Sequence, residues 1–146
     1  MKKLILLSLI VALAIGSCTQ QQGMFPQGAW QFIQGQRVSG DSIVTLFPGE
    51  YTGSDIVIYS ERHILSVGLF KRDTTIINNY VGATYTLEGN RLEETLLYFP
   101  NPDMVGKKVK HIVELRNDTL INSYPCDDNW ELDKSGYTIE KHIRLR

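Results

Sequence analysis

The chain has few of the residues on which much protein chemistry depends. Of its 146 residues only two are cysteine and three histidine. His63, His111 and His142 stand far apart in the sequence, with no two at a metal-ligand spacing, so the pattern names no metal site. There is no Gly-x-Ser-x-Gly elbow, no glycine loop of the kind that cradles phosphate, and no cofactor motif. The acidic stretch Asp127-Asp128-Asn129 with Glu131 and Asp133 lacks the alternating oxygen ligands and central glycine of a calcium loop, and reads as solvated loop. Basic residues form no long run. Lys107, Lys108 and Lys110 are the one cluster, which suits a solvated hairpin tip and gives no electrostatic case for nucleic acid. Helical periodicity is nearly absent.

One long apolar run exists, over residues 4–15, and its surroundings are informative. Lys2 and Lys3 precede it and Ile15-Gly16-Ser17-Cys18 ends it. A short charged segment, an apolar stretch too short for a comfortable membrane span, and small residues before a cysteine read as a bacterial lipoprotein signal. Residues 1–17 are then the signal peptide and Cys18 the lipidated N-terminus. Several acyl chains, each CH₂ worth about 0.8 kcal/mol when buried, hold far more firmly than one chain. Removal of Lys2 and Lys3 lowers Lys+Arg from 15 to 13 against 16 Asp+Glu, leaving a formal charge of −3. Residues 18–27, with Gln20-Gln21-Gln22 and Pro26, read as a flexible tether. With Cys18 taken by lipid, Cys126 has no partner for a disulfide within the chain. Thr19 in place of an aspartate favours the outer membrane, with the periplasmic side preferred over the cell surface.

Residues 28–146 form one domain of strands and turns. Turn chemistry recurs at Gly40-Asp41, Pro48-Gly49, Arg72-Asp73, Gly89-Asn90, Asn101-Pro102-Asp103, Asn117-Asp118 and Lys134-Ser135-Gly136. Between these lie runs rich in Ile, Val, Thr, Tyr and Phe: 30–36, 43–47, 55–59, 64–70, 75–80, 83–88, 92–99, 109–116, 119–124 and 137–145. Gly89-Asn90 and Asn117-Asp118 suit two-residue hairpins, whose central residues need positive φ. A meander of this length leaves two unpaired edges unless it closes, so the expected fold is all-β, an antiparallel up-and-down barrel of about 8–10 strands. A two-sheet sandwich is the alternative.

Alternation over 109–116 places Val109, His111, Val113 and Leu115 on one face, expected to be inward. If the preceding strand pairs across a loop at 100–108, Leu97 and Thr95 fall near His111 and Val113, and Glu93 near Leu115. Tyr85, Glu93, Thr95, Leu97, His111 and Val113 are therefore the candidate ligand-binding residues. A histidine satisfied by one carboxylate is more often structural than catalytic. On the last strand Glu140, His142 and Arg144 share a face. The preferred reading puts that face outward, with Ile139, Ile143 and Leu145 inward. The aromatics Trp30, Phe32, Tyr59, Phe70, Tyr80, Tyr85, Tyr98 and Phe99 either line a cavity or fill a core.

Gly28-Ala29-Trp30 opens the first strand and Arg144 sits on the last, as in the Gly-x-Trp and closing arginine of lipocalins. A guanidinium over an indole face gains about 0.5–2 kcal/mol. Ile58-Tyr59-Ser60-Glu61-Arg62-His63, Gly82-Ala83-Thr84-Tyr85-Thr86-Leu87, Leu92-Glu93-Glu94, Asp118-Thr119-Leu120 and Glu140-Lys141-His142-Ile143-Arg144 add to the likeness. Together these resemble the lipocalin-like domains of small bacterial lipoproteins, although His142 stands where that family often has an aromatic. The resemblance implies that Gly28, Trp30 and Arg144 close the barrel and that its interior holds a small apolar or amphipathic ligand.

Three functions follow as expectations. The first is an envelope-anchored, non-enzymatic, cofactor-free barrel that binds a ligand and touches the membrane through Cys18. The second is an accessory subunit of an envelope complex, with a filled barrel and an exposed apolar patch. The third, ranked last, is an enzyme using Glu93 and His111, which requires the two in one accessible pocket.

Overall fold

In a computed structural model, residues 26–146 are described. The signal peptide, Cys18 and the tether as far as residue 25 lie outside the described residues. Nine strands follow in order: β1 (Gly28–Ser39), β2 (Ser42–Phe47), β3 (Thr52–Tyr59), β4 (His63–Arg72), β5 (Thr75–Glu88), β6 (Arg91–Tyr98), β7 (Lys108–Arg116), β8 (Thr119–Tyr124) and β9 (Tyr137–Arg144). Every pairing is antiparallel, and β9 returns to pair with β1. The chain is thus an all-β closed antiparallel barrel. Eight strands make the ring, because β2 and β3 share one edge of β1, pairing with Gly35–Ser39 and Gly28–Gln31 respectively. Closure removes the exposed edges that an open meander would carry.

Local chemistry sets most of the hairpins. Glu88 pairs with Arg91 and Arg116 with Thr119, so both expected two-residue turns form, with Gly89 at φ 63° and Asn117 at φ 56°. One expected break does not. The runs at 75–80 and 83–88 are a single strand, β5, because Gly82 serves as a gap in the sheet. An added Cβ there would stand 2.8 Å from a ring carbon of Tyr98, which pairs with it. On β1 an irregularity between Phe32 and Gln34 leaves Ile33 as the extra residue against β9.

The hydrophobic core fills the end of the barrel bounded by the β3–β4, β5–β6 and β7–β8 turns. Trp30, Leu92, Val113 and Leu120 are fully buried there, beside Tyr59 and Tyr85, whose rings meet edge to face. Arg144 pairs with Trp30 across the β1–β9 seam, and its guanidinium carbon lies 4.2 Å from the indole centroid. The same guanidinium donates to the Gln27 carbonyl at 2.7 Å, and the indole Nε1–H donates to the Pro26 carbonyl at 2.7 Å. Pro26 is itself buried, so the last two residues of the expected tether belong to the barrel end. Gly28 makes this possible: its φ is 123°, and a Cβ would stand 2.6 Å from an Arg144 nitrogen.

Replacing Trp30 with alanine removes the ring, its hydrogen bond and the seat of Arg144. The expected loss is about 3–5 kcal/mol in urea denaturation, the range for truncating a large buried aromatic. A loss within 1 kcal/mol would mean the seal is dispensable.

Candidate functional site

The other end of the barrel is hollow. A cavity of about 660 Å³ runs from the centre toward the β6–β7 and β8–β9 connections. Val57, Ile64, Val81, Leu96 and Phe99 supply apolar wall, and Lys108, Lys110 and Asp128 stand at its outer part. Phe32, Phe47 and Phe70 cluster beside it with centroids 4.9–5.7 Å apart. His142 packs on Phe32, with ring centroids 5.3 Å apart.

Polar groups on the wall form two networks. Asp55 accepts from Ser66 Oγ at 2.8 Å and from Asn79 Nδ2 at 2.7 Å. Gly68 lies between Asp55 and Asn79 in the ladder, and a Cβ there would collide with Asp55, so the missing side chain lets the amide reach across. Burial pushes the Asp55 carboxyl up from its ordinary range, against the pull of these hydrogen bonds. In the second network, His111 Nδ1 lies 3.0 Å from Asn122 Oδ1 and its Nε2 lies 3.0 Å from Glu94 Oε1. The Glu94 oxygen makes no aligned hydrogen bond with the ring nitrogen, so this is a close approach that becomes an ion pair only with a protonated imidazole. Tyr124 donates to Glu140 Oε1 at 2.6 Å.

Glu140 is the most telling wall residue. Protein surrounds it, yet 27 % of its side chain is accessible, because the accessible part faces the cavity. Burial raises its pKa; the Tyr124 hydrogen bond and His111 oppose this, while Asp55 and Glu94 add to it. The Tyr59 and Tyr124 hydroxyls are also held neutral, first by burial and then by nearby carboxylates. His142 is 97 % buried by side chain and its Nδ1 has no partner among the described residues. Burial lowers its pKa from 6.5 to about 4.

The expected site residues divide. Tyr85, His111 and Val113 point inward as expected. Tyr85 and Val113, however, belong to the sealed core, with the Tyr85 hydroxyl bonded to the Ser60 carbonyl, and only His111 lines the cavity. Glu93, Thr95 and Leu97 are on the opposite face of β6 from Leu92 and Leu96. Leu97 is exposed, and Glu93 pairs with Lys108 at 2.7 Å where it borders the outer part of the cavity. The reason is register. His111 faces Leu92 and not Leu97, a displacement of five, and an odd displacement moves every side chain to the other face. The ladder ends at Thr95 and Lys108; beyond it Leu96 bonds to Lys107 and Gly106, and Tyr98 pairs with β5. Leu115 also leaves the inward set and is exposed. On β9 the preferred reading is reversed: Glu140, His142 and Arg144 face inward, while Ile143 and Leu145 are exposed.

The wall residues not anticipated are Glu94, Glu140, Asp55, Asn79, Asn122 and Tyr124. Their signal was the alternation of polar with apolar residues, as in Leu92-x-Glu94-x-Leu96 and Asp55-x-Val57-x-Tyr59. Among the described residues no group of three His, Cys, Asp or Glu side chains is placed to hold a metal ion. Cys126 is free and half-buried on the wall, and burial pushes its thiol up, away from the reactive thiolate. No protein-family model matches the chain, and comparison with curated proteins finds no match.

The opposed shifts give a pH signature. His142 takes up its proton below about 4 when folded and below 6.5 when unfolded, so its contribution to stability is intact above 6.5 and lost as the pH falls toward 4. Asp55 and Glu140 act oppositely: their contribution is present at low pH and lost as the pH rises through their raised folded values. Replacing His142 with phenylalanine should therefore reduce the fall in stability between pH 6.5 and 4 by on the order of 3 kcal/mol. Parallel curves for the two proteins would show that His142 is not held neutral.

Proposed function

We propose that the chain is a lipid-anchored envelope protein whose barrel binds a small amphipathic ligand without transforming it. The cavity carries this reading. At about 660 Å³ it lies within the usual range for small-molecule sites, and it combines apolar walls with a few convergent polar groups. A barrel built only for stability would fill this space, since interiors normally pack to crystal density and voids weaken them. Anchoring rests on the sequence alone, on Ile15-Gly16-Ser17-Cys18 after the apolar run, and outer-membrane residence rests on Thr19. The likeness to lipocalin-like bacterial lipoproteins belongs to the same proposal, supported by the Gly28, Trp30 and Arg144 seal. The enzymatic alternative ranks lower: Glu93 and His111 both border the cavity, but Glu93 is bonded to Lys108 and lies on the other face of β6 from Leu92, the residue paired with His111.

One observation favours the accessory-subunit reading as a second role. Ile56, Ile58, Leu65, Val67, Leu69, Tyr80 and Tyr98 are exposed on neighbouring positions of β3 to β6. Ile58 pairs with Ala29, so this apolar outer face adjoins the point where the chain enters the barrel. A contiguous patch of this kind marks contact surfaces.

Native mass spectrometry of the protein purified from its own envelope should show an added small-molecule mass, and Val81→Trp, which fills the cavity, should abolish it while the fold persists. Bare protein alone would contradict the ligand-binding reading. Cys18→Ser should prevent acyl labelling and shift the protein from the membrane to the soluble envelope fraction; unchanged membrane retention would contradict lipid anchoring.

A further inference from the structure

The charge inside the cavity identifies the kind of ligand it suits. Three carboxylates, Asp55, Glu94 and Glu140, stand on its wall. Even a fully protonated His111 would leave them in a three-to-one excess over interior cations. The nearest lysines are committed at the outer end, Lys108 to Glu93 at 2.7 Å and Lys110 to Asp128 at 2.6 Å. Several wall donors are already committed to these carboxylates. Ser66 and Asn79 give their donors to Asp55, and Tyr124 gives its hydroxyl hydrogen to Glu140 Oε1. Among the described residues Glu140 Oε2 accepts no hydrogen bond, and the His142 Nε2 stands 4.0 Å away. The buried His142 on the same wall carries an unpartnered Nδ1, and in the tautomer protonated at Nε2, toward Glu140, that nitrogen is a bare acceptor.

We propose that the cavity selects a cationic amphiphile, a protonated amine whose ammonium group meets Glu140 and Glu94 and whose apolar part lies along the opposite wall. The proposal rests on the ligand-binding reading above and adds the ligand's charge. An ammonium supplies three donors and one positive charge to a wall on which carboxylates outnumber uncommitted cations. In a concave, partly desolvated site that pairing is stronger than at an exposed surface. An anion would meet the carboxylates directly, and a neutral alcohol would supply one donor and no charge. A metal ion fits poorly, since among the described residues no three acidic, histidine or cysteine groups converge on one point.

The test is isothermal titration calorimetry at pH 7 with octylammonium, octanol and octanoate. The protein is the chain from residue 18 onward, carrying Cys18→Ser; the barrel closes on itself within residues 26–146 and is retained whole. Octylammonium should bind at least tenfold more tightly than octanol, and octanoate most weakly. Glu140→Gln, or Glu94→Gln if the first variant is unstable, should weaken octylammonium about tenfold and octanol by less, so that the preference for the amine shrinks. Octanol or octanoate binding as tightly as octylammonium would overturn the charge preference and leave the cavity as a site for another ligand. Full preference retained in both variants would overturn the role given to these carboxylates. No binding of any of the three would overturn the ligand-binding reading itself.

Discussion

The barrel depends on the way its first and last strands meet. Arg144 lies over the Trp30 ring at 4.2 Å, and both side chains tie down the two residues before β1, through the carbonyls of Gln27 and Pro26. This contact caps the β1–β9 ladder that closes the ring, plugs one end of the barrel and fixes where the chain enters. Its geometry is demanding, since the guanidinium occupies the space where a Cβ at position 28 would be. With that end sealed by Trp30, Leu92 and Leu120, the other end need not be filled for the sheet to close.

That freedom is spent on polar groups. Asp55, Glu94, Glu140, His111 and His142 occupy inward positions that a barrel optimised for packing would give to Leu or Val. Burying them opposes stability, and the shifts record it: Asp55 and Glu140 are pushed toward their neutral forms, as is His142. Part of the penalty is offset by hydrogen bonds from Ser66, Asn79 and Tyr124. The remainder is left on Glu140 Oε2 and His142 Nδ1. Residues that weaken a fold while lining a cavity are those expected of a binding site.

Much of this was legible in the sequence because strand chemistry is local. Gly89-Asn90 and Asn117-Asp118 set their own turns, and alternation over 109–116 placed His111 and Val113, though not Leu115, correctly inward; the meeting of Gly28 and Trp30 with Arg144 was expected only through a family resemblance. The errors arose where long-range pairing decides. The β6–β7 connection carries no two-residue turn to fix register, and the adjacent Leu96 and Leu97 fit either face, so Glu93 was expected in the position that Glu94 holds. On β9 the charge of Glu140 and His142 argued for solvent, while the hollow interior that accommodates them is a property of eight strands together. The tether's end was misplaced for a similar reason: Pro26 is buried by a tryptophan four residues later.

The proposed charge preference requires Glu140 to face a partly open cavity short of uncommitted cations. Carboxyl ¹³C NMR titration of Glu140 with and without octylammonium measures this. The Glu140 midpoint should lie above the ordinary glutamate range and fall when the amine is added. An ordinary midpoint at Glu140, indifferent to the amine, would contradict the preference.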